Sequence, residues 1–225
     1  MRNDIINTEF TQALRDYAYL LNQNYPRKSI LKIVGDRYLL NTFQRILLSR
    51  GVFPNGSIHA RFEKSTEQIN GEDIHIDTYN VLFTISNYLL GRIVFICNDL
   101  FIRDAGEVYG KLNKDPVFSR SIELLFSFLE RKNPLSVKFH IDSPISHSAE
   151  LAGTLRNLLS GMGIQGDGCL ERNPDAALIR LDSGIVASSD SDVLDQTGMR
   201  IVDLAHLVLK DKFSLNLPDL TRLLS

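Results

Sequence analysis

The chain has few cysteines, no long apolar run and no strong excess of charge, and each absence argues against a class of protein. Its two cysteines, Cys97 and Cys169, have no Cys-x-x-Cys spacing, so both are expected to be free thiols in a reducing cytoplasm. No stretch approaches the roughly 18 apolar residues of a membrane span, and the opening Met-Arg-Asn-Asp-Ile-Ile-Asn has no apolar signal segment. A formal net charge of −2 argues against coating nucleic acid or an anionic membrane by bulk electrostatics.

The sequence also lacks the motifs of two large enzyme classes. It contains neither a Gly-x-x-x-x-Gly-Lys-[Ser/Thr] phosphate loop nor a nucleophile elbow with its flanking glycines. Nucleoside triphosphate hydrolysis by a P-loop and acyl transfer are therefore disfavoured. What remains is an ordinary globular composition, with 44% hydrophobic and 23% charged residues. We expect a packed protein throughout.

Residues 1–60 form a basic, mainly helical segment in this interpretation, with eight Lys and Arg against four Asp and Glu. Apolar residues recur at spacings of three and four from Thr8 to Gln23, which predicts an amphipathic helix with Thr8 as N-cap. A second helix is predicted from Asn41 to Ser49, whereas Ile30 to Leu40 could be strand or helix.

The same segment offers a candidate grip on a single nucleic acid strand. Arg37, Arg45 and Arg50 could contact phosphates, while the interleaved Tyr38 and Phe43 could stack on bases. The alternative is an ordinary helical cap with solvated charges and buried aromatic rings.

Residues 71–225 show the rhythm of an α/β domain, after a polar boundary near residues 61–71. Short runs rich in Ile and Val alternate with helical patterns, which predicts a mainly parallel sheet in a three-layer α/β sandwich. The predicted strands are Ile74 to Ile76, Ile93 to Cys97, Val137 to Ile141, Ile185 to Ala187 and Ile201 to Val202. The predicted helices are Val81 to Leu90, Val117 to Arg131, Ser148 to Leu159 and Pro174 to Leu181.

An aspartate follows four of these strand runs: Asp77, Asp99, Asp142 and Asp190. Because the carboxyl ends of parallel strands share one edge, these four carboxylates are expected to converge there. Converging carboxylates repel one another unless a cation or a proton neutralises them, and Mg²⁺ takes oxygen ligands. The alternative for each aspartate is that it only caps the following helix.

The segment Ser188-Ser189-Asp190-Ser191-Asp192 is the most informative, since its two aspartates lie two residues apart at a strand-to-helix junction. Ser191 alone would have sufficed as a cap. On this spacing alone, a metal role for the pair and a capping role both stay open.

Three motifs in order resemble those of the NYN domains, a branch of the PIN-like ribonucleases. Asp77-Thr78-Tyr79-Asn80 is similar to their Asp-x-x-Asn opening, and Asn173-Pro174-Asp175-Ala176-Ala177-Leu178 to their Asp-x-x-Leu helix start. Ser188-Ser189-Asp190-Ser191-Asp192 is similar to their Ser-Gly-Asp-Ser-Asp segment. The whole chain also resembles a prokaryotic family that joins a basic segment containing Val34-Gly35-Asp36-Arg37-Tyr38 to such a domain.

The resemblance implies a PIN-like fold in which four aspartates hold Mg²⁺ or Mn²⁺: Asp77, Asp175, Asp190 and Asp192. It also implies that Asn80 and Ser189 help to hold the substrate. Two departures affect the substrate class. Ser189 stands where the family has glycine, and the strand ending at Asp99 with its following loop is additional to a minimal NYN domain.

Three further residues are candidates for the same site. Asp142 could join the metal site or line it, and Asp99 could contact substrate. Arg103 could bind phosphate bidentately or pair with Asp104 at the surface.

The leading hypothesis is a metal-dependent phosphodiesterase acting on RNA or another single-stranded nucleic acid, with Asp77 and Asp190 as catalytic residues. A non-catalytic RNA-binding or toxin–antitoxin-like protein on the same fold is the first alternative, and a phosphatase or Toprim-like enzyme is the second. No membrane partner is expected, and a homo-oligomer is left open.

Overall fold

A computed structural model of the chain describes residues 5–106 and 115–224. The chain divides into two compact units, and each is described by itself. Unit 1 comprises Met1–Phe62, Ile93–Gly106 and Asn216–Ser225, and unit 2 comprises Glu63–Arg92 and Glu107–Leu215. None of the described helices is long and apolar enough to cross a membrane.

Unit 1 is mainly helical and is completed by a short β-hairpin. Its helices are α1 (Thr8–Asn22), α2 (Arg27–Arg37), α3 (Thr42–Gly51), α4 (Asn55–Lys64, which ends at the border of the unit) and α11 (Leu220–Leu224). The hairpin pairs β2 (Val94–Ile96) with β3 (Ile102–Asp104) in antiparallel register. The apolar side of α1 packs in its core through Phe10, Leu14 and Tyr17, all fully buried.

Local sequence explains where these helices begin. Asn7, rather than the predicted Thr8, caps α1 by accepting a hydrogen bond of 2.8 Å from the backbone N–H of Phe10. Asn41 and Gln44 form a capping box at the start of α3. The segment Ile30 to Leu40, left open between strand and helix, is helical in α2 as far as Arg37, and α4 begins at Asn55, directly after Pro54.

Unit 2 is the α/β part of the chain. Its strands are β1 (Asp73–Asp77), β4 (Ser136–Asp142), β5 (Gln165–Glu171), β6 (Ile185–Ala187) and β7 (Arg200–Val202). Its helices are α5 (Thr78–Leu89), α6 (Pro116–Lys132), α7 (Ser148–Gly161), α8 (Pro174–Ile179), α9 (Ser191–Gln196) and α10 (Leu204–Lys212).

The sheet has the order β5-β4-β1-β6-β7, and every neighbouring pair is parallel. The chain adds strands outward from β1 through β4 to β5, then returns to the other side of β1 to add β6 and β7. The direction of growth therefore reverses between β1 and β6. Such a reversal opens a crevice at the carboxyl ends of the strands, where open α/β sheets bind their ligands.

Helices cover both faces of this sheet. Phe126 of α6 stacks on Phe139 of β4 at 5.7 Å between ring centroids, and a side chain at Gly168 of β5 would press on Ala152 of α7. Both helices therefore lie on one face. Because parallel crossovers are right-handed, the return after β5 carries α8 to the other face, where it contacts β1 and β4. The expected three-layer α/β sandwich with a parallel sheet and an N-terminal helical segment is confirmed.

Two predicted details of the sheet are wrong. The run Ile93 to Cys97 is not a strand of the parallel sheet, because its β2 pairs with β3 in a separate two-stranded sheet. The sheet instead contains β5, whose sequence Gln-Gly-Asp-Gly-Cys-Leu-Glu has two glycines and little apolar content. As an edge strand with only one neighbour, β5 needs no continuous apolar run.

Candidate acidic site at the strand reversal

Asp77 and Ser188 meet where the sheet reverses direction. Asp77 ends β1 and is 6% exposed, while Ser188 follows the neighbouring strand β6 and is also buried. The Ser188 hydroxyl donates a hydrogen bond of 2.7 Å to Oδ2 of Asp77, and it accepts one of 3.0 Å from the backbone N–H of Asp190. Oδ1 of Asp77 makes no hydrogen bond within residues 5–106 and 115–224.

Asn80 and Ser189 join the first turn of α5 to the loop after β6. The backbone N–H and the hydroxyl of Ser189 both donate to Oδ1 of Asn80, at 2.9 and 3.0 Å. Ser189, which stands where NYN domains have glycine, thus has a structural partner. Its predicted role in holding substrate stays a prediction.

Asp190 is the N-cap of α9, as the capping alternative proposed. Its Oδ1 accepts hydrogen bonds from the backbone N–H groups of Asp192 and Val193, at 2.8 and 3.2 Å. The cap uses one carboxylate oxygen only. Oδ2 accepts no hydrogen bond from any described residue. Capping therefore leaves one oxygen of Asp190 available for another ligand.

Three more predicted aspartates belong to the same region of unit 2. Asp175 lies in the first turn of α8 and is exposed, and Asn173 caps that helix. Asp142 ends β4 and is partly buried, and the exposed Asp192 lies in the first turn of α9. Asp175, Asp190 and Asp142 all act electrostatically on Asp77. The structure thus brings together five of the predicted site aspartates.

The carboxylates of this region crowd one another without compensation. Burial raises the pKa of Asp77 to about 7, the Ser188 hydrogen bond opposes this shift, and the charges of Asp175, Asp190 and Asp142 add to it. Burial is also the main cause of the raised pKa of Asp175 and of Asp142. In the part of the chain that the structure describes, none of these aspartates forms an ion pair with Lys or Arg.

The donor set fits a hard divalent cation in part. Among the described residues, no group of three or more His, Cys, Asp or Glu side chains is placed to hold a metal ion. Mg²⁺ needs less than such a group, since one or two carboxylates, several waters and a substrate phosphate usually complete its shell. Asp77 and Asp190 could provide two carboxylate oxygens, and their crowded charge favours a cation over a neutral ligand.

A hydrogen-bonded chain of three ionisable side chains lies on the same sheet face and was not predicted. Nδ1 of His75 is 3.0 Å from Nε2 of His140, and Nδ1 of His140 is 2.9 Å from Oε1 of Glu171. Burial lowers the pKa of each histidine to about 4, so both are neutral at neutral pH. If Glu171 is ionised, His140 donates to it and His75 donates to His140.

One signal in the sequence could have revealed part of this series of hydrogen-bonded side chains. His75 and Asp77 alternate on β1, as do Lys138, His140 and Asp142 on β4, so each set shares one face of the sheet. The position of Glu171 beside His140 could not be predicted, because β5 was not predicted.

Asp99 and Arg103 do not belong to the acidic edge of the parallel sheet, which corrects their predicted role. Asp99 follows β2 of the hairpin in unit 1, and its side chain is fully buried. Arg103 donates to both of its oxygens at 2.8 Å, and Arg61 donates to Oδ2 at 2.5 Å. Arg103 is 4% exposed and pairs with Asp99 instead of forming the surface pair with Asp104. Neither side chain is open to a substrate phosphate.

The fold and the site define a parallel α/β domain with a group of aspartates at its strand reversal, preceded by a helical unit. The chain belongs to the family described as "Domain of unknown function (DUF5616)", whose model matches residues 66–207. Residues 9–64 match a second model, "Protein of unknown function (DUF434)". A similar protein is "Uncharacterized protein MJ0935" of Methanocaldococcus jannaschii, 29% identical over 196 residues that cover 86% of this chain and 93% of that protein. No solved structure matches the chain.

Proposed function

We propose that the protein is a metal-dependent phosphodiesterase of PIN-like type that acts on RNA in the cytoplasm. The observation that carries the proposal is the pair Asp77 and Asp190 at the strand reversal, each with one carboxylate oxygen that no described residue occupies. Ligands of open α/β sheets bind at this position. The order of the three NYN-like motifs along the chain supports the choice of a phosphodiester substrate.

The residues of the site would divide the work between them. Asp77 and Asp190 would bind Mg²⁺ or Mn²⁺ directly, while Asp175 and Asp192 would add negative charge and hold ligand waters. A bound divalent ion of this kind polarises a phosphoryl oxygen and lowers the pKa of a coordinated water. Ser188 fixes the carboxylate plane of Asp77 through its 2.7 Å hydrogen bond. Asn80 and Ser189 hold the β6 loop beside α5, at the place where the substrate would lie.

Proton competition follows from the same geometry. Since burial and neighbouring charge raise the pKa of Asp77 to about 7, a proton and a cation compete for this carboxylate near neutral pH. Cation binding, and any cleavage that depends on it, should strengthen as the pH rises through 7.

Cleavage of single-stranded RNA by the full chain with Mn²⁺ tests the proposal. Wild type should cleave, while Asp77→Asn and Asp190→Asn should each lose at least about a hundredfold in rate, as expected when an essential metal ligand is removed. Asp182→Asn is the matched control, because Asp182 is an exposed aspartate of the same unit whose side chain accepts a hydrogen bond from the neighbouring Ser183 and lies outside the acidic site. No cleavage by wild type, or equal cleavage by Asp190→Asn, would overturn the proposal.

A non-catalytic RNA-binding protein is the second candidate. It is favoured by one observation, the hydroxyl of Ser189, which donates a second hydrogen bond to Oδ1 of Asn80 beside that of its own backbone N–H; the glycine of NYN domains could make only the backbone bond. Binding of RNA without cleavage, both in wild type and in Ser189→Gly, would select this candidate. Hydrolysis of a phosphate monoester in preference to RNA would instead select the phosphatase alternative.

A further inference from the structure

Unit 1 carries a positive charge that the chain as a whole does not. Its described residues contain ten Lys and Arg side chains against six Asp and Glu, whereas the whole chain has a formal net charge of −2. The excess of four is the same at the surface, because two of the ten cations, Arg61 and Arg103, are buried along with two of the six acids, Asp99 and Asp104. A basic surface of this kind attracts polyanions.

Of the three arginines that the sequence pattern selected for nucleic acid binding, Arg45 and Arg50 are not the source of this surface. The Arg45 guanidinium lies against Gly35, donates to the carbonyl of Leu40 at 3.0 Å and pairs with Asp36 at 2.9 Å. Arg50 lies 3.9 Å from Asp104. Both side chains hold elements of unit 1 together.

The exposed cations of unit 1 are concentrated on α2. Lys28, Lys32 and Arg37 are all exposed, and none of them forms an ion pair within the described ranges 5–106 and 115–224. Lys28 and Lys32 lie one helical turn apart on the same side. The only acid on this helix, Asp36, is neutralised by Arg45.

An exposed aromatic ring stands at the beginning of the same helix. Tyr25 is 57% exposed and lies just before Pro26, the N-cap of α2. A basic track with an exposed ring fits a single nucleic acid strand, because cations contact the backbone and aromatic faces stack on bases of any sequence. At the other end, the Arg37 guanidinium lies 5.5 Å from the centroid of the Tyr38 ring.

An anionic membrane fits this surface less well. A helix that lies in a membrane interface needs an apolar face to insert. The apolar residues Ile30 and Val34 of α2 are 1% exposed and belong to the core of unit 1. Ile33, 62% exposed, is the single large apolar side chain that α2 presents to solvent.

We propose that the exposed surface of α2 is a docking surface for the backbone of single-stranded RNA. Tyr25, Lys28 and Lys32 lie near its beginning, and Arg37 lies at its end about half a turn round the helix, so the strand would cross the helix. The proposal rests on the proposed function for the choice of RNA among polyanions. It predicts that this surface contributes affinity that is independent of sequence and sensitive to salt.

Fluorescence anisotropy with a labelled oligouridine, in EDTA so that no cleavage occurs, tests the surface in the full chain. The variant replaces Lys28, Lys32 and Arg37 by Gln, and the matched control replaces Arg120, Lys210 and Lys212 by Gln, which removes the same charge from other exposed positions. Loss of three phosphate contacts should lower affinity about tenfold to a hundredfold near 0.1 M salt and reduce the log–log salt slope by about two. The control should stay within about threefold of wild type.

Tyr25 is tested separately, because stacking and charge are independent contributions. Tyr25→Leu should weaken binding about fivefold or more, and Tyr25→Phe, which keeps the ring, should bind like wild type. Tyr25, Lys28, Lys32 and Arg37 are all exposed, so the melting curves of these variants should match that of wild type.

Three outcomes would overturn the docking proposal: no RNA binding by wild type, equal binding by the α2 variant and wild type, or preferential binding of wild type to phosphatidylserine vesicles. These results are separable from the proposed activity. If the α2 variant loses RNA binding although wild type cleaves nothing with Mn²⁺, the docking surface stands and the phosphodiesterase proposal fails. If wild type cleaves RNA and the α2 variant binds and cleaves equally well, the phosphodiesterase proposal stands and the docking surface fails.

Discussion

Asp77 and Asp99 have the same sequence context and opposite electrostatic environments. Both follow a short apolar strand and both are 6% exposed. Burial raises the pKa of Asp77 to about 7, and its carboxylate neighbours add to the shift. Burial would also raise the pKa of Asp99, but the guanidinium groups of Arg103 and Arg61 outweigh it and hold that pKa below its usual range.

The comparison shows that an aspartate at a strand end is informative only with its partners. Asp99 accepts three hydrogen bonds from arginines, two of them from Arg103 in bidentate geometry, so its charge belongs to the structure of unit 1. Asp77 accepts one hydrogen bond, from Ser188, and faces further carboxylates. Asp99 therefore stabilises the fold of unit 1, whereas Asp77 is suited to bind a cation.

Removing the charge of Asp99 should have the largest effect on stability. Asp99→Asn removes the carboxylate charge that Arg61 and Arg103 share while both guanidinium groups stay buried, and breaking a buried pair in this way costs about 3–5 kcal/mol. Urea unfolding should show this loss. Asp167→Asn, which breaks the exposed pair with Arg156, is the control and should cost no more than about 1 kcal/mol. A change in Asp99→Asn as small as that of the control would contradict the assignment.

The same substitution at Asp77 should have the opposite sign at high pH. The native carboxyl keeps its proton up to about pH 7, whereas the unfolded chain releases it near pH 4, so wild type loses stability as the pH rises through this window. Asp77→Asn has no carboxyl group at this position, so it does not lose this stability as the pH rises. In EDTA at pH 8 it should exceed wild type by about 2–4 kcal/mol, and the gap should shrink toward pH 4. A variant that is less stable than wild type at pH 8 would refute the crowding of carboxylates.

Added Mg²⁺ should reduce the difference in stability between wild type and Asp77→Asn, because it should stabilise wild type. A cation that binds the folded site and hardly the unfolded chain stabilises by about 1.4 kcal/mol at ten times its dissociation constant. Thermal melts in millimolar Mg²⁺ and in EDTA should therefore differ for wild type and coincide for Asp77→Asn. Glu150→Gln, an exposed change on α7, should respond like wild type. An equal rise in the melting temperature of Asp77→Asn would mean that Mg²⁺ binds at a site that does not include Asp77.

The smallest expected effects on stability distinguish the role of Asp190 as the N-cap of α9 from its proposed role as a metal ligand. Asn caps a helix as well as Asp does, so Asp190→Asn should keep the α9 cap, remove repulsion and melt slightly higher than wild type in EDTA. Asp190→Ala also loses the two hydrogen bonds to Asp192 and Val193 and should be about 1 kcal/mol less stable than the Asn variant. Equal stability of the Asn and Ala variants would mean that the cap contributes nothing.

The sequence predicted those parts of the fold whose pattern is local. The helical spacing of α1 and the apolar runs of β1, β4 and β6 were sufficient for the α/β class. The edge strand β5 was missed because two glycines and a charge interrupt its apolar alternation. The run at β2 was assigned to the wrong sheet, because its Ile and Val content predicts a strand but not the partner of that strand.

The candidate site could be predicted only as far as topology brings residues together. Asp77, Asp142 and Asp190 follow strands of one sheet, so their convergence was readable from the order of strands and helices. The role of Asp99 was misjudged because the residue that makes it a structural ion, Arg61, lies 38 positions away in sequence. The His75–His140–Glu171 chain needs the β1–β4–β5 register, which no local pattern specifies.

Crystals of the full chain soaked in Mn²⁺ provide the most direct test, because the anomalous signal locates the ion without reference to activity. The account predicts a peak bound to Asp77 and Asp190 at the reversal between β1 and β6, through the oxygens that Ser188 and the α9 backbone do not use. The same peak should be absent in Asp77→Asn. An ion bound elsewhere in wild type, or a full-occupancy peak retained in Asp77→Asn, would contradict the central claim.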